Sequence, residues 1–70
     1  MLSVIVPFYN EEKLIKKSFL EILKALKYSK IRKYEVIFID DGSQDKSLSI
    51  VKNLKKKNKK IKIFENKKNF

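Results

Sequence analysis

Acidic side chains follow two short apolar segments of this sequence, and they are the groups best suited to chemistry. The pair Glu11–Glu12 comes soon after the apolar run Leu2–Val6, and the pair Asp40–Asp41 comes directly after Glu35–Ile39. The chain contains no histidine and no cysteine, which excludes imidazole bases, thiolate metal sites and disulfides. Any general base or hard-metal ligand in this chain must therefore be a carboxylate.

The segment after the first apolar run combines a rigid proline, an aromatic ring and carboxylates. Pro7, Tyr9 and Glu11 suit a nucleoside, since a ring can stack on a base and a carboxylate can accept hydrogen bonds from ribose hydroxyls. The segment has no glycine, so it is neither a dinucleotide fingerprint nor a P-loop. Alternatively, Tyr9 packs locally and the glutamates only complement a helix dipole, an interpretation that fits Glu12 better than Glu11.

The second acidic pair lies in a segment with a turn composition. Successive residues point in different directions, so one of Asp40 and Asp41 can face a ligand while the other braces the loop. Gly42 is predicted to adopt a positive φ, and Ser43 to cap the next helix. A turn rich in Asp, Gly and Ser is the alternative, but it explains two adjacent aspartates less well, because clustered like charges cost energy without a partner.

Three apolar segments are predicted to be strands that place these loops. Leu2–Val6 and Glu35–Ile39 are continuous β-branched runs, typical of strands covered on both faces in a parallel sheet. Ile61–Phe64 partly alternates and indicates a strand nearer an edge.

Two amphipathic patterns separate the strands and predict helices. The first is capped by Asn10, with Glu11–Glu12 at its start; the second is capped by Ser43, with Asp45 in its first turn, and stops at Asn58. The predicted apolar faces are Ile15, Phe19, Ile22, Leu23 and Leu26 in the first helix, and Leu48, Ile50, Val51 and Leu54 in the second.

The order along the chain is therefore βαβαβ, which predicts an α/β fold with a parallel three-stranded sheet. In open parallel sheets ligands bind beyond the carboxyl ends of the strands, and both acidic loops occupy that position.

The net charge of +10 makes nucleic acid or an anionic membrane surface an obvious partner class. However, the lysines are spread along the chain, and Arg32 is the single arginine. We therefore attribute the positive charge to lysines on solvated helix faces and expect no specific binding of nucleic acid. The run before Pro7 is too short to span a membrane.

Two motifs in this order carry a family resemblance: the segment 4–12, which includes Pro7-Phe8-Tyr9-Asn10-Glu11, and the segment 34–45, which includes Asp40-Asp41-Gly42-Ser43. Together they resemble the start of the family two inverting glycosyltransferases. The similarity is greatest to the branch that loads polyisoprenyl phosphates, the dolichyl-phosphate mannosyltransferases and bactoprenol-phosphate glucosyltransferases. It runs through the whole chain, including Asn69, which resembles an asparagine of the family's third-strand loop.

The resemblance implies a Rossmann-like GT-A fold, of which residues 1–70 would be an N-terminal fragment carrying the nucleotide-binding half, with its three strands in the order 3-2-1. It implies that Pro7, Tyr9 and Glu11 line a nucleotide pocket, that Asp41 contacts the base or ribose, and that Ile39 lies beside it. The family's metal motif (for Mg²⁺ or Mn²⁺) and catalytic base would lie beyond position 70, so this chain would hold neither catalytic residues nor metal ligands and would be inactive alone.

The implied substrates are a UDP- or GDP-sugar and a lipid-phosphate or cell-envelope glycan acceptor. The implied location is the cytoplasm, at the cytoplasmic face of a membrane with which the parent protein makes contact.

Two other classes compete with this interpretation. A basic nucleic-acid-binding module, or a non-catalytic nucleotide-binding module, would also be small and charged. A phospho-receiver domain also uses paired aspartates, but there the pair follows the first strand and an acceptor aspartate follows the third. Here the pair follows the second strand, and no aspartate occurs after Asp45.

Overall fold

The β-branched runs and amphipathic patterns form the predicted alternation of strands and helices. A computed structural model describes residues 1–66 and confirms the βαβαβ order. The elements are β1 (Leu2–Phe8), α1 (Ile15–Tyr28), β2 (Tyr34–Asp40), α2 (Ser47–Lys57) and β3 (Ile61–Glu65). Among these residues no helix is long and apolar enough to cross a membrane; α1, the longest, has 14 residues.

The three strands form one parallel sheet with β2 in the centre, which confirms the predicted order. Val36 of β2 lies opposite Val4 of β1 and Ile61 of β3. This register aligns the carboxyl ends of the strands, so the segments after β1 and β2 leave the sheet side by side.

The first strand is longer than predicted, because it continues past Val6 through Pro7 to Phe8. The N–H of Leu2 donates to the Lys33 carbonyl, and the Phe8 carbonyl accepts from the N–H of Asp41. Even-numbered residues of β1 therefore direct their backbone groups toward β2, and Pro7 faces the free edge. Proline lacks an N–H, so a position on the outer side of an edge strand costs no hydrogen bond of the ladder.

Both helices cover the same face of the sheet, and three phenylalanines mark the centre of the core. The Phe38 ring lies 6.0 Å from Phe8 and 5.8 Å from Phe19, measured between ring centroids. Burial of each such side chain contributes about 1.5–3 kcal/mol. The predicted helix faces are confirmed: Ile15, Phe19, Leu26 and Val51 are buried, and Ile22, Leu23, Leu48, Ile50 and Leu54 pack against the core.

The predicted start of α1 was wrong. The helix begins at Ile15, its N-cap residue is Leu14, and no side chain caps it. Asn10 has a φ of 50°, in the left-handed region, and lies before the helix together with Glu11 and Glu12. No acidic residue is therefore in the first turn of α1.

The predicted start of α2 was also wrong. The helix begins at Ser47 with Lys46 as its N-cap residue, so Ser43 does not cap it and Asp45 precedes its first turn. The helix ends where predicted, with Asn58 as its C-cap residue.

The opposite face of the sheet carries no helix among residues 1–66. Ile5 and Phe64 are 61% and 58% exposed there. Glu35 joins the strands at one end of this face, where its carboxylate accepts from Ser3 Oγ at 2.7 Å and contacts Lys62 Nζ at 2.9 Å. The hydrogen bonds from Lys62 and Ser3 lower the pKa of Glu35.

Candidate functional site

The parallel register brings the two acidic loops together at one edge of the sheet. Pro7 lies opposite Ile39, and Phe8 lies opposite Asp40. One residue further, the N–H of Asp41 donates to the Phe8 carbonyl at 3.0 Å. The last ladder bond between β1 and β2 therefore places the start of the first loop directly beside Asp41.

The predicted site residues share this edge and are accessible. Pro7 and Ile39 lie next to each other on the face opposite the helices, because their neighbours Phe8 and Asp40 are buried on the helix side. Tyr9 is 52% exposed and follows Pro7 along the first loop. Glu11 is exposed in the same loop, and Asp41 and Ile39 are half-buried. The fold thus brings all five predicted residues to the carboxyl ends of β1 and β2.

The two aspartates differ in environment, as predicted. Asp40 is buried, and its Oδ1 accepts a hydrogen bond from the N–H of Ser43 at 2.8 Å. This bond closes the turn at Gly42, whose φ of 84° confirms the predicted positive value. Asp40 is therefore the aspartate that braces the loop.

Asp41 faces the end of β3. Its Oδ1 accepts from Nδ2 of Asn66 at 3.3 Å, and the N–H of Asn66 donates to the Asp40 carbonyl at 2.8 Å. Asn66 thus connects the third strand to the site, and the sequence patterns did not single it out for this role. Asn69, which the resemblance placed near this loop, lies outside the described residues.

Three consecutive backbone N–H groups of the first loop donate to three side chains of the second loop. Asn10 N–H donates to Ser43 Oγ at 3.0 Å, Glu11 N–H to Ser47 Oγ at 2.6 Å, and Glu12 N–H to Asp45 Oδ2 at 3.1 Å. In return, Oδ1 of Asn10 accepts from the N–H groups of the second loop. We call this set of four residues, Asn10, Ser43, Asp45 and Ser47, the inter-loop clamp.

The side chain of Asn10 is the first loop's contribution to the clamp. Its Oδ1 accepts from Gln44 N–H at 2.8 Å and from Asp45 N–H at 3.4 Å. The sequence patterns assigned Asn10 and Ser43 to helix caps instead. A usable signal was the spacing of Asp45 and Ser47, since an aspartate two residues before a serine favours the local turn that starts α2 here, with Ser47 N–H donating to Asp45 Oδ1 at 2.9 Å.

Asp45 carries opposing influences on its ionisation. Partial burial alone would raise its pKa, but hydrogen bonds from the side chain and backbone of Ser47 and from the N–H of Glu12 outweigh it and lower the pKa. The carboxylate of Asp45 is therefore held ionised by bonds from the neighbouring Ser47 and by the Glu12 N–H bond, which joins the two loops.

The carboxyl end of the sheet is acidic even though the chain is strongly basic. Of eight acidic residues, six lie at this end: Glu11, Glu12, Asp40, Asp41, Asp45 and Glu65. Carboxylates accept hydrogen bonds from sugar hydroxyls and base N–H groups but repel phosphate. The arrangement therefore suits the nucleoside part of a nucleotide better than its diphosphate.

The described residues do not fit a metal site. No group of three His, Cys, Asp or Glu side chains among residues 1–66 could hold an ion. Asp40, the most buried carboxylate of this edge, is engaged by the backbone of Ser43. A divalent ion would need ligands other than these.

A further hollow lies elsewhere in the described part of the chain. It measures about 690 Å³ and lies between α1 and α2, lined mainly by apolar side chains and lysines such as Phe19, Leu20, Leu54 and Lys57. It has no carboxylate to receive a hydroxyl group. The chemistry therefore favours the acidic edge of the sheet over this hollow as the site for a sugar or nucleoside.

The chain is similar in sequence to known glycosyltransferases. The sequence model of Glycosyl transferase family 2 matches residues 3–70. The chain is 39% identical over 69 residues to an uncharacterized glycosyltransferase of Synechocystis sp., covering 99% of this chain and 21% of that protein. It is 38% identical over 65 residues to the GalNAc(5)-diNAcBac-PP-undecaprenol beta-1,3-glucosyltransferase of Campylobacter jejuni, covering 93% and 20%.

A dolichyl-phosphate beta-glucosyltransferase of Trichomonas vaginalis is 41% identical over 59 residues, covering 79% of this chain and 18% of that protein. The chain spans about a fifth of the length of these curated relatives.

Proposed function

The chain belongs to glycosyl transferase family 2, and we propose that it supplies the nucleoside-binding part of a sugar-nucleotide-dependent glycosyltransferase. In this proposal residues 1–70 form the N-terminal part of a GT-A domain. The observation that carries it is the convergence of Tyr9, Glu11 and Asp41 at the carboxyl ends of two parallel strands. Ligands of open α/β sheets bind at such a position.

Each residue has a role that its chemistry supports. The exposed ring of Tyr9 stacks on the base, and Pro7 and Ile39 form the apolar surface beside it. The carboxylates of Asp41 and Glu11 accept hydrogen bonds from the base or the ribose hydroxyls.

The proposed reaction transfers a sugar from UDP or GDP to a polyisoprenyl phosphate or a glycan. An acceptor oxygen forms a bond to the anomeric carbon as the bond from that carbon to the nucleoside diphosphate breaks. The relatives support the acceptor class through their names, which include a dolichyl-phosphate and an undecaprenol-linked substrate. We assign no catalytic residue to this chain.

The family typically uses a divalent ion, which would neutralise the leaving diphosphate. Residues 1–66 do not offer a ligand set for it, so we propose that Mg²⁺ or Mn²⁺ is held by ligands outside this chain. We further propose that the parent enzyme works in the cytoplasm, at a membrane face where lipid-phosphate acceptors occur.

Calorimetry of the 70-residue chain with UDP and GDP tests the proposed site. Asp41→Ala should weaken binding about tenfold or more, since a lost ligand hydrogen bond costs roughly 1–3 kcal/mol. Tyr9→Ala should weaken binding about fivefold or more through the lost stacking.

Two matched controls lie far from the acidic edge. Glu21→Ala removes an exposed carboxylate of α1, and Tyr28→Ala removes a tyrosine that is 89% exposed at the end of α1. Neither control should change the affinity. Equal affinities of wild type, Asp41→Ala and Tyr9→Ala would refute the site, and binding of RNA that nucleotides do not compete would support the nucleic-acid alternative instead.

A further inference from the structure

The two loops at the acidic edge are joined to each other rather than closed individually. The backbone of residues 10–12 donates to side chains of the second loop, and Asn10 accepts from the backbone of that loop. We propose that Ser47, Asp45 and Asn10 are positioning residues that hold Tyr9 and Glu11 in the orientation that binds a nucleoside. This inference rests on the proposed function, which assigns those two residues to the ligand.

Ser47 is the anchor on the rigid side of the clamp. It is fully buried at the first residue of α2, and its Oγ accepts the Glu11 N–H at 2.6 Å. Its own N–H donates to Asp45 Oδ1, so the second carboxylate oxygen, Oδ2, is directed to the Glu12 N–H. Ser47 belongs to α2, which packs on the core through Val51. Its bonds therefore fix the orientation of the first loop relative to the core.

Asn10 is the anchor in the first loop, between the two residues that it would position. Its φ of 50° lies in the left-handed region, which asparagine tolerates better than most residues. That conformation directs the Asn10 N–H to Ser43, and its Oδ1 to Gln44 N–H. The backbone angle and the side-chain acceptor therefore act together to fix the path from Tyr9 to Glu11.

Loss of a clamp bond should release the loop and leave the core intact. Glu11 and Glu12 are exposed, so water can replace the partners of their N–H groups once the loop moves. A positioning role consequently predicts weaker nucleotide binding in a chain that still unfolds cooperatively.

Substitution of the two serines of α2 provides the first test. Ser47→Ala removes the clamp hydroxyl, and Ser49→Ala removes an exposed hydroxyl on the same helix. With UDP or GDP as the probe, Ser47→Ala should bind about fivefold more weakly than wild type, whereas Ser49→Ala should stay within about twofold. Equal affinity of a folded Ser47→Ala variant would overturn the positioning role of Ser47.

Two variants of Asn10 separate its side-chain acceptor from its backbone angle, and they decide the inference if Ser47→Ala fails to fold. Asn10→Gly keeps access to the positive φ but removes the acceptor, and Asn10→Asp keeps both. Asn10→Gly should lose about fivefold in affinity and should speed hydrogen exchange at the Glu11 and Glu12 amides, whereas Asn10→Asp should restore both to near wild-type values.

The outcomes separate this inference from the proposed function. If the wild-type chain binds nucleotide, and Asn10→Gly has the same affinity and the same amide hydrogen exchange as wild type, the positioning role is overturned and the proposed function is not. Absence of nucleotide binding in wild type would refute the proposed function and the positioning role with it. In that case faster exchange at the Glu12 amide in Asn10→Gly would show that the loops are still coupled.

Discussion

The loops at the two ends of the sheet are held in different ways. At the amino end the turn after α1 closes on itself: Lys30 N–H donates to the Lys27 carbonyl and Ile31 N–H to the Leu26 carbonyl. This is the Schellman pattern of a helix end. At the carboxyl end the loops after β1 and β2 depend on each other through the inter-loop clamp.

The two ends also differ in charge. Basic residues of the amino-end loops include Lys30, Arg32, Lys33, Lys59 and Lys60, whereas six of the eight acidic residues lie at the carboxyl end. The net charge of +10 is a sum over the whole chain and does not describe the local charge at either end of the sheet. The backbone bonds of the turn after α1 lie within that turn, and one side chain, Lys60, joins the next residues through the Arg32 carbonyl. The loops at the carboxyl end are instead joined by several bonds in both directions, as a binding surface built from two loops requires.

One substitution placed at each end gives the largest expected contrast in stability. Lys30 has a φ of 57°, a conformation that costs a residue with a Cβ about 1–2 kcal/mol. Lys30→Gly should relieve that strain, keep every backbone bond of the turn, and raise the free energy of unfolding by about 1 kcal/mol. Asn10→Gly should lower it, because the clamp acceptor is lost.

Urea unfolding followed by circular dichroism measures both effects. Lys33→Gly is the matched control at the amino end, since Lys33 does not have a positive φ. If Asn10→Gly raised the free energy of unfolding, relief of the strained backbone angle would outweigh loss of the clamp hydrogen bonds. The contrast between the two ends would then disappear.

The dependence of stability on pH gives a smaller contrast. The folded-state pKa of Asp45 is lowered, so its ionised form stabilises the fold above its ordinary pKa of about 3.9, and this contribution is lost as pH falls through the folded-state value. The difference in unfolding free energy between wild type and Asp45→Asn should therefore shrink as the pH falls below that ordinary value.

Glu35→Gln supplies the control on the open face. The pKa of Glu35 is also lowered, by Lys62 and Ser3, so this variant should show the same sign of pH dependence. Only Asp45→Asn should also speed exchange at the Glu12 amide. A pH-independent difference for Asp45→Asn would show that its carboxylate does not stabilise the loops.

Patterns along the chain predicted the repeating elements well, because periodicity reports on burial. The spacing of Phe19 and Leu26 and the β-branched runs correctly predicted two helices and three strands in the right order along the chain. The predicted helix starts were wrong because Asn10 and Ser43, the residues expected to cap the helices, accept hydrogen bonds between the two loops instead. Asn10 accepts hydrogen bonds from Gln44 and Asp45, which lie more than thirty residues away in the sequence. A pattern of neighbouring residues cannot predict such distant partners.

The candidate site was predictable in part for the same reason. Pro7 was expected after the first strand but belongs to it, and Phe8 beneath the loop belongs to the core. The acidic pair at the end of β2 can be read from the sequence. Because successive side chains of a strand point in different directions, one aspartate was expected to brace the turn, and that residue is Asp40. Ser47 was missed: the spacing of Asp45 and Ser47 indicates a local turn, but its partner, the Glu11 N–H, lies 36 residues away in the sequence.

The most direct test of the central claim is a nuclear magnetic resonance titration of the isotope-labelled chain with UDP and with GDP. Backbone amide signals report binding residue by residue, so the two ends of the sheet are compared in one sample. The account predicts saturable shifts at Tyr9–Glu12 and Asp41–Asp45, with the amides of Lys30–Lys33 unchanged. Shifts confined to the amino end or to the hollow between α1 and α2, or no shifts with either nucleotide, would contradict it.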